Sequence, residues 1–360
     1  MRSSTGSGIR DQGPGARDQP PERHGDARPV SALGEHALIA RIRSRLGPAP
    51  SWLLVDAGDD AAVYESPRNL SQVITSDAVV DGVHVDRRFV PPASIGHRAL
   101  AVNLSDLAAM GAAPMLATLS LALPADLHVA DLDALVDGLL AVAASSRTRL
   151  VGGNITSIRG PMVVNVTVVG TVHPRRILTR GGARPGDHLF VSGTLGDARV
   201  GLAMLQAGVD ARAFETFPVA RYLHPEARLR LGQSLGRRQA ATSAIDLSDG
   251  LADGLARLSE ASGVGVEIAA DALPLHPATV VAARALGQDP VHEALAGGDD
   301  YELLFSVSPR RRGALRGVER LVSGLALTRI GTVTRAPGLV VLHPDGRREA
   351  VTGGYEHFAP

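Results

Sequence analysis

The segment SIGHRALAVNLSDLAAMG spans residues 94–111 and carries apolar side chains at helical spacing. Ser94 is a suitable N-cap, and Gly111 follows the last apolar turn, so the pattern predicts one helix between them. Asp106 lies near the end of this helix in the tripeptide Leu-Ser-Asp, which recurs at 247–249. So short a repeat supports an internal duplication only weakly. We therefore expect a helix that carries an acidic side chain close to its C-terminus.

Apolar segments on both sides of this helix predict a mixed α/β domain. Short apolar stretches separated by Gly, Asp and Pro indicate strands, and two further segments have the apolar spacing of helices. The predicted strands are 52–55, 61–64, 72–80, 116–123 and 162–172, and the additional helices are 33–45 and 132–145. These elements predict a first domain over residues 31–174.

A connection rich in Arg, Gly and Pro at 175–186 predicts the start of a second domain. Strand-like and helical segments alternate again after it, and the chain of 360 residues is long enough to bury two cores. The predicted elements are strands 188–191, 243–245, 264–268 and 301–307, a helix at 250–259 and a hairpin at 339–351. We therefore expect a second α/β domain over residues 175–360.

The first 30 residues are rich in Gly, Arg, Asp, Pro and Ser and contain almost no apolar side chain. Such a composition buries too little surface to offset the entropy lost on ordering. We therefore predict that residues 1–30 form a disordered tail.

The composition excludes several classes of function. Lys+Arg and Asp+Glu are equal at 37 each, so neither nucleic acid nor a membrane surface is an expected partner. The sequence contains no lysine, which excludes a Schiff base and a Walker-type phosphate loop, and no cysteine, which excludes disulfides and thiolate chemistry. No apolar run approaches the roughly 20 residues of a membrane helix. We expect a cytoplasmic protein.

Aspartate residues follow the ends of several predicted strands and helices. Hard oxygen ligands suit Mg²⁺, which usually takes one or two protein carboxylates and completes its shell with water and substrate phosphates. For any single aspartate, a role in a turn or helix cap explains the residue equally well, but that role does not explain the whole set. The set consists of Asp59, Asp60, Asp77, Asp106, Asp246, Asp249, Asp299 and Asp300.

Two glycine-rich segments could bring backbone amides close to a phosphate group. Gly152-Gly153-Asn154 follows a strand-like stretch, and residues 193–197 precede a predicted helix. An ordinary turn explains either segment equally well, and no dinucleotide-binding glycine motif follows a strand. The histidines are not spaced as a metal-binding pair, so a zinc hydrolase is not supported.

Taken in order, the motifs of residues 33 to 360 resemble the thiamine-monophosphate kinase family. That family belongs to the aminoimidazole ribonucleotide synthetase superfamily, and the resemblance implies two α/β domains, with N-terminal domains that pair in a homodimer. It also implies ATP, several Mg²⁺ ions and thiamine monophosphate as ligands. The motifs are Gly58–Ala62, Thr75-Ser76-Asp77, Gly82-Val83-His84, Asn103–Gly111, Gly152-Gly153-Asn154, Thr179-Arg180, Ala244–Leu251 and Gly297–Leu303.

The resemblance also assigns roles to individual residues. The implied metal ligands are Asp60, Thr75, Ser76, Asp77, Asp106, Asn154, Asp246 and Asp249. The implied ATP contacts are Gly153, Asn154, Arg180 and Ser248, and the implied acceptor contacts are His84, Asp299 and Tyr355. Asn154 and Asp299 stand where many members of the family have Asp and Glu.

A phosphate monoester acceptor is already largely ionised at neutral pH, so we assign no general base. The expected contributions are positioning and charge cancellation by Mg²⁺ and Arg180. The alternatives are a sister enzyme such as aminoimidazole ribonucleotide synthetase, or a nonenzymatic sensor of nucleotide and magnesium. The absence of cysteine argues against the sister enzymes that depend on a thiol or selenol.

Overall fold

The computed structural model describes residues 26–210 and 216–350, which form two mixed α/β domains. In the first domain, helices α1, α2 and α3 are Glu35–Arg43, Pro92–Ala109 and Val129–Ser146. Its strands are β1 (Leu53–Val55), β2 (Val63–Tyr64), β3 (Ser71–Val80), β4 (Ala113–Pro124), β5 (Arg149–Ile158) and β6 (Val163–Val172). The last four form one sheet in the order β3-β6-β4-β5, in which only β4 and β5 are parallel.

The second domain is a seven-stranded sheet flanked by helices. Its strands are β7 (His188–Ser192), β8 (Ser243–Asp246), β9 (Gly265–Ala269), β10 (Leu303–Val307), β11 (Leu327–Thr334), β12 (Leu339–Leu342) and β13 (Arg348–Ala350). Its helices are α4 (Asp197–Gln206), α5 (Phe217–Leu223), α6 (Leu229–Arg237), α7 (Leu251–Ser262), α8 (Pro277–Ala285), α9 (Pro290–Ala296) and α10 (Arg312–Leu321). The strand order is β13-β12-β9-β11-β7-β10-β8. Separate apolar cores on its two faces bury β10 along its whole length.

Helix α2 is the structural centre of the chain because it packs against both domains. Two glycines allow its close contact with α3: a Cβ at Gly96 would lie 1.8 Å from the carbonyl oxygen of Leu135, and one at Gly138 would lie 2.0 Å from that of Ala93. Near its other end, α2 contacts α6 and β8 of the second domain. The aspartate near its C-terminus therefore lies at the junction of the two domains.

The predicted helix is confirmed, but the prediction of its N-cap is wrong. The helix begins at Pro92, with Pro91 at the N-cap, because proline has the backbone angle of a first helical residue and lacks the amide hydrogen that would go unpaired there. Ser94 is buried inside the helix, where its hydroxyl is 3.1 Å from Nε2 of His224.

The end of the predicted tail also needs correction. Residues 26–30 lie against residues 125–130, and the amide of Val30 donates to the carbonyl oxygen of Leu127 at 2.8 Å. Val30 is only 5% exposed, because it joins the core of the first domain. The packed chain therefore begins before residue 31, whereas residues 1–25 lie outside the described part.

One face of the first sheet is covered by α2 and α3, and much of the opposite face is open. Ile74 on β3 lies on that open face and is 71% exposed. The register places Thr167 and Asn165 of β6 on the same face, opposite Ser76 and Ala78 of β3. Among the helices of the described residues, none is long and apolar enough to cross a membrane.

Candidate active site

An acidic cluster lies where the two domains meet. Thr75 and Asp77 are on the covered face of β3, Asp106 is on α2, Asp246 ends β8, and Asp249 precedes α7. The hydroxyl of Thr75 donates to the carboxylate of Asp106. Five residues from three segments that are far apart in the sequence thus converge at one place.

The carboxylates of this cluster repel one another. Partial burial, together with the charges of Asp106 and Asp249, raises the pKa of Asp77 to about 6. Burial and the charge of Asp106 raise the pKa of Asp246 to about 7. Burial also raises the pKa values of Asp106 and Asp249. A cluster whose negative charges are this costly is suited to a bound cation.

The kind of cation follows from the oxygen ligands. Among the described residues, no three His, Cys, Asp or Glu side chains converge closely enough to hold an ion by themselves. Mg²⁺ fits such a site because it usually takes one or two carboxylates and keeps its other positions for water and phosphate oxygens. The donor set is therefore compatible with Mg²⁺ that arrives with a nucleotide.

Hydrogen bonds from α2 hold the cluster in place. Ser105 is fully buried, and its hydroxyl donates to Oδ2 of Asp246 at 2.7 Å, across the domain junction. Asn103, also fully buried, accepts a hydrogen bond from the amide of Asp77 at 3.1 Å. Neither role was predicted from the sequence, although both residues directly precede Asp106 in the opening segment.

Two predicted ATP contacts border the cluster. The positive charge of Arg180, an exposed residue, partly offsets the rise in the pKa values of Asp106 and Asp246 that burial causes, which means that Arg180 lies near both. The hydroxyl of Ser248 is 3.4 Å from Oδ2 of Asp249. An arginine and a hydroxyl beside a cation site could contact the phosphates of a nucleotide.

The other predicted metal and ATP residues are not gathered at the cluster. Asp60 lies in an exposed loop between β1 and β2. Ser76 faces away from Thr75 and Asp77, and its hydroxyl is 2.9 Å from that of Thr167 on the open sheet face. Gly153 and Asn154 lie on β5, at the opposite edge of the same sheet from β3.

Gly152-Gly153-Asn154 is part of a strand rather than a turn after one, because β5 continues to Ile158. A bulge between Ala117 and Thr118 of β4 shifts the pairing there. Gly153 has a φ of 156°, and a Cβ would lie 1.7 Å from the carbonyl oxygen of Leu119. Glycine is therefore required at 153 by the strand itself.

The predicted acceptor residues adjoin the cluster on another side. Asp299 raises the pKa of Asp249 through its charge, and its amide donates to the carbonyl oxygen of Ser248 at 2.7 Å. The carbonyl oxygen of His84 accepts a hydrogen bond from the hydroxyl of Tyr222 at 3.3 Å. Tyr355, the third predicted acceptor contact, lies outside the described residues.

His84 and Asp299 are connected through residues that were not predicted. Arg98 of α2 forms an ion pair with Asp299, and its guanidinium lies 4.8 Å from the centre of the Tyr222 ring. A charged residue near the middle of a mostly apolar helix is the signal that could have identified Arg98. Arg98 precedes Ser105 by two helical turns, so both lie on the face of α2 that meets the second domain.

Comparisons with known proteins identify the family of this chain. Residues 58–172 match the family model described as AIR synthase related protein, N-terminal domain, and residues 184–343 match the corresponding C-terminal domain. The thiamine-monophosphate kinase of Escherichia coli is 40% identical over 338 residues, which cover 91% of this chain and 99% of that relative.

Solved structures of thiamine-monophosphate kinases are also similar to this chain. The crystal structure of thiamine-monophosphate kinase from Stenotrophomonas maltophilia has a TM-score of 0.76 at 38% identity, covering 88% of this chain and 98% of that one. The structure of AaThiL complexed with AMPPCP and TMP has a TM-score of 0.72 at 33% identity, covering 91% and 98%. The family resemblance and the two-domain fold expected from the sequence are confirmed, and this chain belongs to the thiamine-monophosphate kinase family, among the AIR synthase related proteins.

Proposed function

We propose that this chain transfers the γ-phosphoryl group of ATP to the phosphate of thiamine monophosphate, which yields thiamine diphosphate and ADP. The observation that carries the proposal is the acidic cluster at the domain junction, with Arg180 on one side and Asp299 on another. The names of the relatives, and the ligands AMPPCP and TMP in the AaThiL structure, support the same reaction.

The proposed mechanism needs no general base. The second pKa of a phosphate monoester is about 6, so the acceptor is already a dianion for most of the time at neutral pH. Bound Mg²⁺ would supply charge neutralisation on the phosphate oxygens. Asp77, Asp106, Asp246 and Asp249 would hold it at the junction, and Arg180 would orient the nucleotide phosphates.

Within this proposal the acceptor lies on the side of His84 and Asp299. Because the amide of Asp299 is bonded to Ser248, the acceptor loop and the metal-binding segment share one backbone framework. That framework would fix the distance between the two phosphates that react. Holding two reactants in line is one of the two main contributions to phosphoryl transfer, beside electrostatic stabilisation.

We also propose that two copies pair through the open face of the first sheet. Ile74 is 71% exposed on this face, and a partner sheet packed there would bury it. Ser76 and Asn154 lie on the two edge strands of this sheet, three strands apart or roughly 14 Å, so they cannot share one ion within a chain. A partner sheet could complete the ligands of either residue.

Product formation tests the reaction. The protein is incubated with ATP, Mg²⁺ and thiamine monophosphate, and thiamine diphosphate and ADP are separated and quantified. With Mg²⁺ present, we expect thiamine diphosphate and ADP in equal amounts. When Mg²⁺ is removed with a chelator, we expect neither product. ADP without thiamine diphosphate would contradict the assigned acceptor, and nucleotide binding without any turnover would favour a sensor.

Pairing is tested separately by light scattering coupled to size exclusion. We expect the mass of a dimer for the unmodified chain and a shift toward the monomer for Ile74→Arg, since the new charge would be desolvated in the interface. Val281→Arg, at an equally exposed apolar residue of α8, is the control and should leave the dimer intact.

A further inference from the structure

Arg98 reaches the candidate acceptor site from the interior of the first domain. It is only 3% exposed, although it carries a charge, and it lies on α2 among apolar residues. Its guanidinium forms an ion pair with Asp299 and donates to the carbonyl oxygen of Tyr222 at 2.8 Å. It also lies 4.8 Å and 5.7 Å from the ring centres of Tyr222 and Tyr301.

The charge of Arg98 is balanced by the carboxylate of Asp299. Burial by itself would lower the pKa of Arg98, but Asp299 and the two tyrosines outweigh burial, so the pKa is raised. The guanidinium is therefore protonated at neutral pH. A buried charge is tolerated only when a partner of opposite charge is held against it, and Asp299 is that partner.

Asp299 and Arg98 differ in the solvent exposure of their side chains. The side chain of Asp299 is 32% exposed, whereas that of Arg98 is 3% exposed. A ligand could therefore contact the carboxylate of Asp299 but not the guanidinium. Any effect of Arg98 on a ligand must be transmitted through Asp299.

The backbone around Asp299 is held in an unusual conformation. Asp299 and Tyr301 have φ values of 71° and 50°, in the left-handed region that residues other than glycine rarely adopt. The amide of Tyr301 donates to the carbonyl oxygen of Leu247 at 2.9 Å, and its hydroxyl donates to Oδ1 of Asp299 at 3.1 Å. Strained residues persist only where surrounding contacts hold them, and they concentrate at binding sites.

We propose that Arg98 is a positioning residue, which fixes the carboxylate of Asp299 in the orientation that receives the acceptor. The inference rests on the proposed function, because it takes Asp299 as an acceptor contact. Helix α2 then aligns both halves of the site from one face. Ser105 orients the metal-binding Asp246, and Arg98 orients Asp299.

The test is a double-mutant cycle on the full chain with Arg98→Met, Asp299→Asn and both together. We measure KM for thiamine monophosphate, KM for ATP, kcat and melting temperature. Loss of a charge-assisted hydrogen bond predicts a rise of about tenfold or more in the acceptor KM for each single variant. The KM for ATP of Arg98→Met should stay within about twofold, because Arg98 does not contact the cluster.

Non-additivity decides whether Arg98 acts through Asp299. We expect the double variant to have an acceptor KM no higher than that of Asp299→Asn alone. Multiplication of the two single effects would overturn the proposal, and so would an unchanged acceptor KM in a folded Arg98→Met protein. Arg41→Lys, which alters an Arg–Asp pair between α1 and α3, is the control and should change none of these constants.

A length exchange covers the case in which Arg98→Met does not fold. Arg98→Lys shortens the cation, and adding Asp299→Glu lengthens the anion by one methylene. We expect the pair to recover part of the acceptor affinity lost in Arg98→Lys, whereas a purely structural arginine would predict no recovery.

The two proposals fail in different ways. No thiamine diphosphate from the unmodified protein would contradict the proposed function. In that event, calorimetric binding of thiamine monophosphate to the same variants still tests the role of Arg98. An active unmodified protein with additive variants would contradict that role alone.

Discussion

At the scale of single residues, Asp106 interacts with candidate site residues of both domains. It accepts a hydrogen bond from Thr75, and its charge raises the pKa values of both Asp77 and Asp246. Its carboxylate thus lies between the strand of one domain and the strand end of the other. That location suits a ligand shared by more than one cation.

We predict that Asp106→Asn abolishes turnover without unfolding the protein, because an amide cannot replace a charge shared among cations. Without Mg²⁺, its melting temperature should equal or exceed that of the unmodified chain, since repulsion within the cluster falls. Activity assays and calorimetry in a chelator check both results. The control is Asp137→Asn, at a carboxylate that is 61% exposed on α3. Normal turnover in a folded Asp106→Asn protein would refute the assignment of Asp106 as a metal ligand.

Asn154 gives a second prediction at this scale. An amide oxygen can ligate Mg²⁺ but brings no charge, so Asn154→Asp should bind the ion more tightly and reach half-maximal activity at lower Mg²⁺. The maximal rate should change little, because the two side chains have nearly the same shape. Activity is titrated against free Mg²⁺ at saturating ATP, beside Asn69→Asp as the control. Coincident curves would mean that Asn154 is not a ligand.

At the scale of elements, the contact between α2 and α3 determines where the site residues of α2 lie. Both helices approach so closely that only glycine fits at positions 96 and 138. The carbonyl groups opposite these two glycines belong to the backbone of a helix, so neither carbonyl group can move aside without distorting its helix. The helix that carries Arg98, Ser105 and Asp106 is thus held rigidly in the first domain.

We predict that Gly138→Ala lowers the free energy of unfolding by about 1–3 kcal/mol, since its Cβ would lie 2.0 Å from a carbonyl oxygen. Alanine usually stabilises a helix relative to glycine by about 1 kcal/mol. Gly313→Ala in α10 is the matched control, because no atom lies within 4 Å of the added Cβ. Chemical denaturation of both variants measures the difference, and equal stabilisation would show that α2 and α3 can separate.

At the scale of the whole molecule, the N-terminal segment contributes to the packing of the first domain. Val30 is part of its core, and residues 26–30 are bonded to the segment that precedes and begins α3. The tail predicted over residues 1–30 therefore includes a segment, residues 26–30, that packs against the first domain.

We predict that deletion of residues 1–25 leaves the melting temperature nearly unchanged, because their composition offers little surface to bury. Deletion of residues 1–33 should lower it by about 2–4 °C, the effect of losing roughly 1 kcal/mol in a domain of this size. Calorimetry of the two shortened chains decides the boundary. A large drop with the shorter deletion would show that the earlier residues also pack.

Local sequence patterns predicted many of the helices and strands, the family and the kind of site. Apolar spacing predicted α2, α3, α7 and most strands of the first domain, because amphipathic periodicity is a property of neighbouring residues. The order of the motifs pointed to the family, and the aspartates at strand ends pointed to a cation site. Charge balance and the absence of lysine and cysteine restricted the chemistry without any structure.

Only the tertiary structure decided which of these residues meet. Ser105 and Asp246 are 141 positions apart, and Arg98 pairs with Asp299 from the other domain, so no local pattern could show either contact. The alternation of side chains along a strand already separates Ser76 from Thr75 and Asp77, but only the packing of α2 against β3 decided which of the two faces meets the site. The sequence by itself determined which chemical groups are available, whereas the packing of α2 against both domains determined which of them act together.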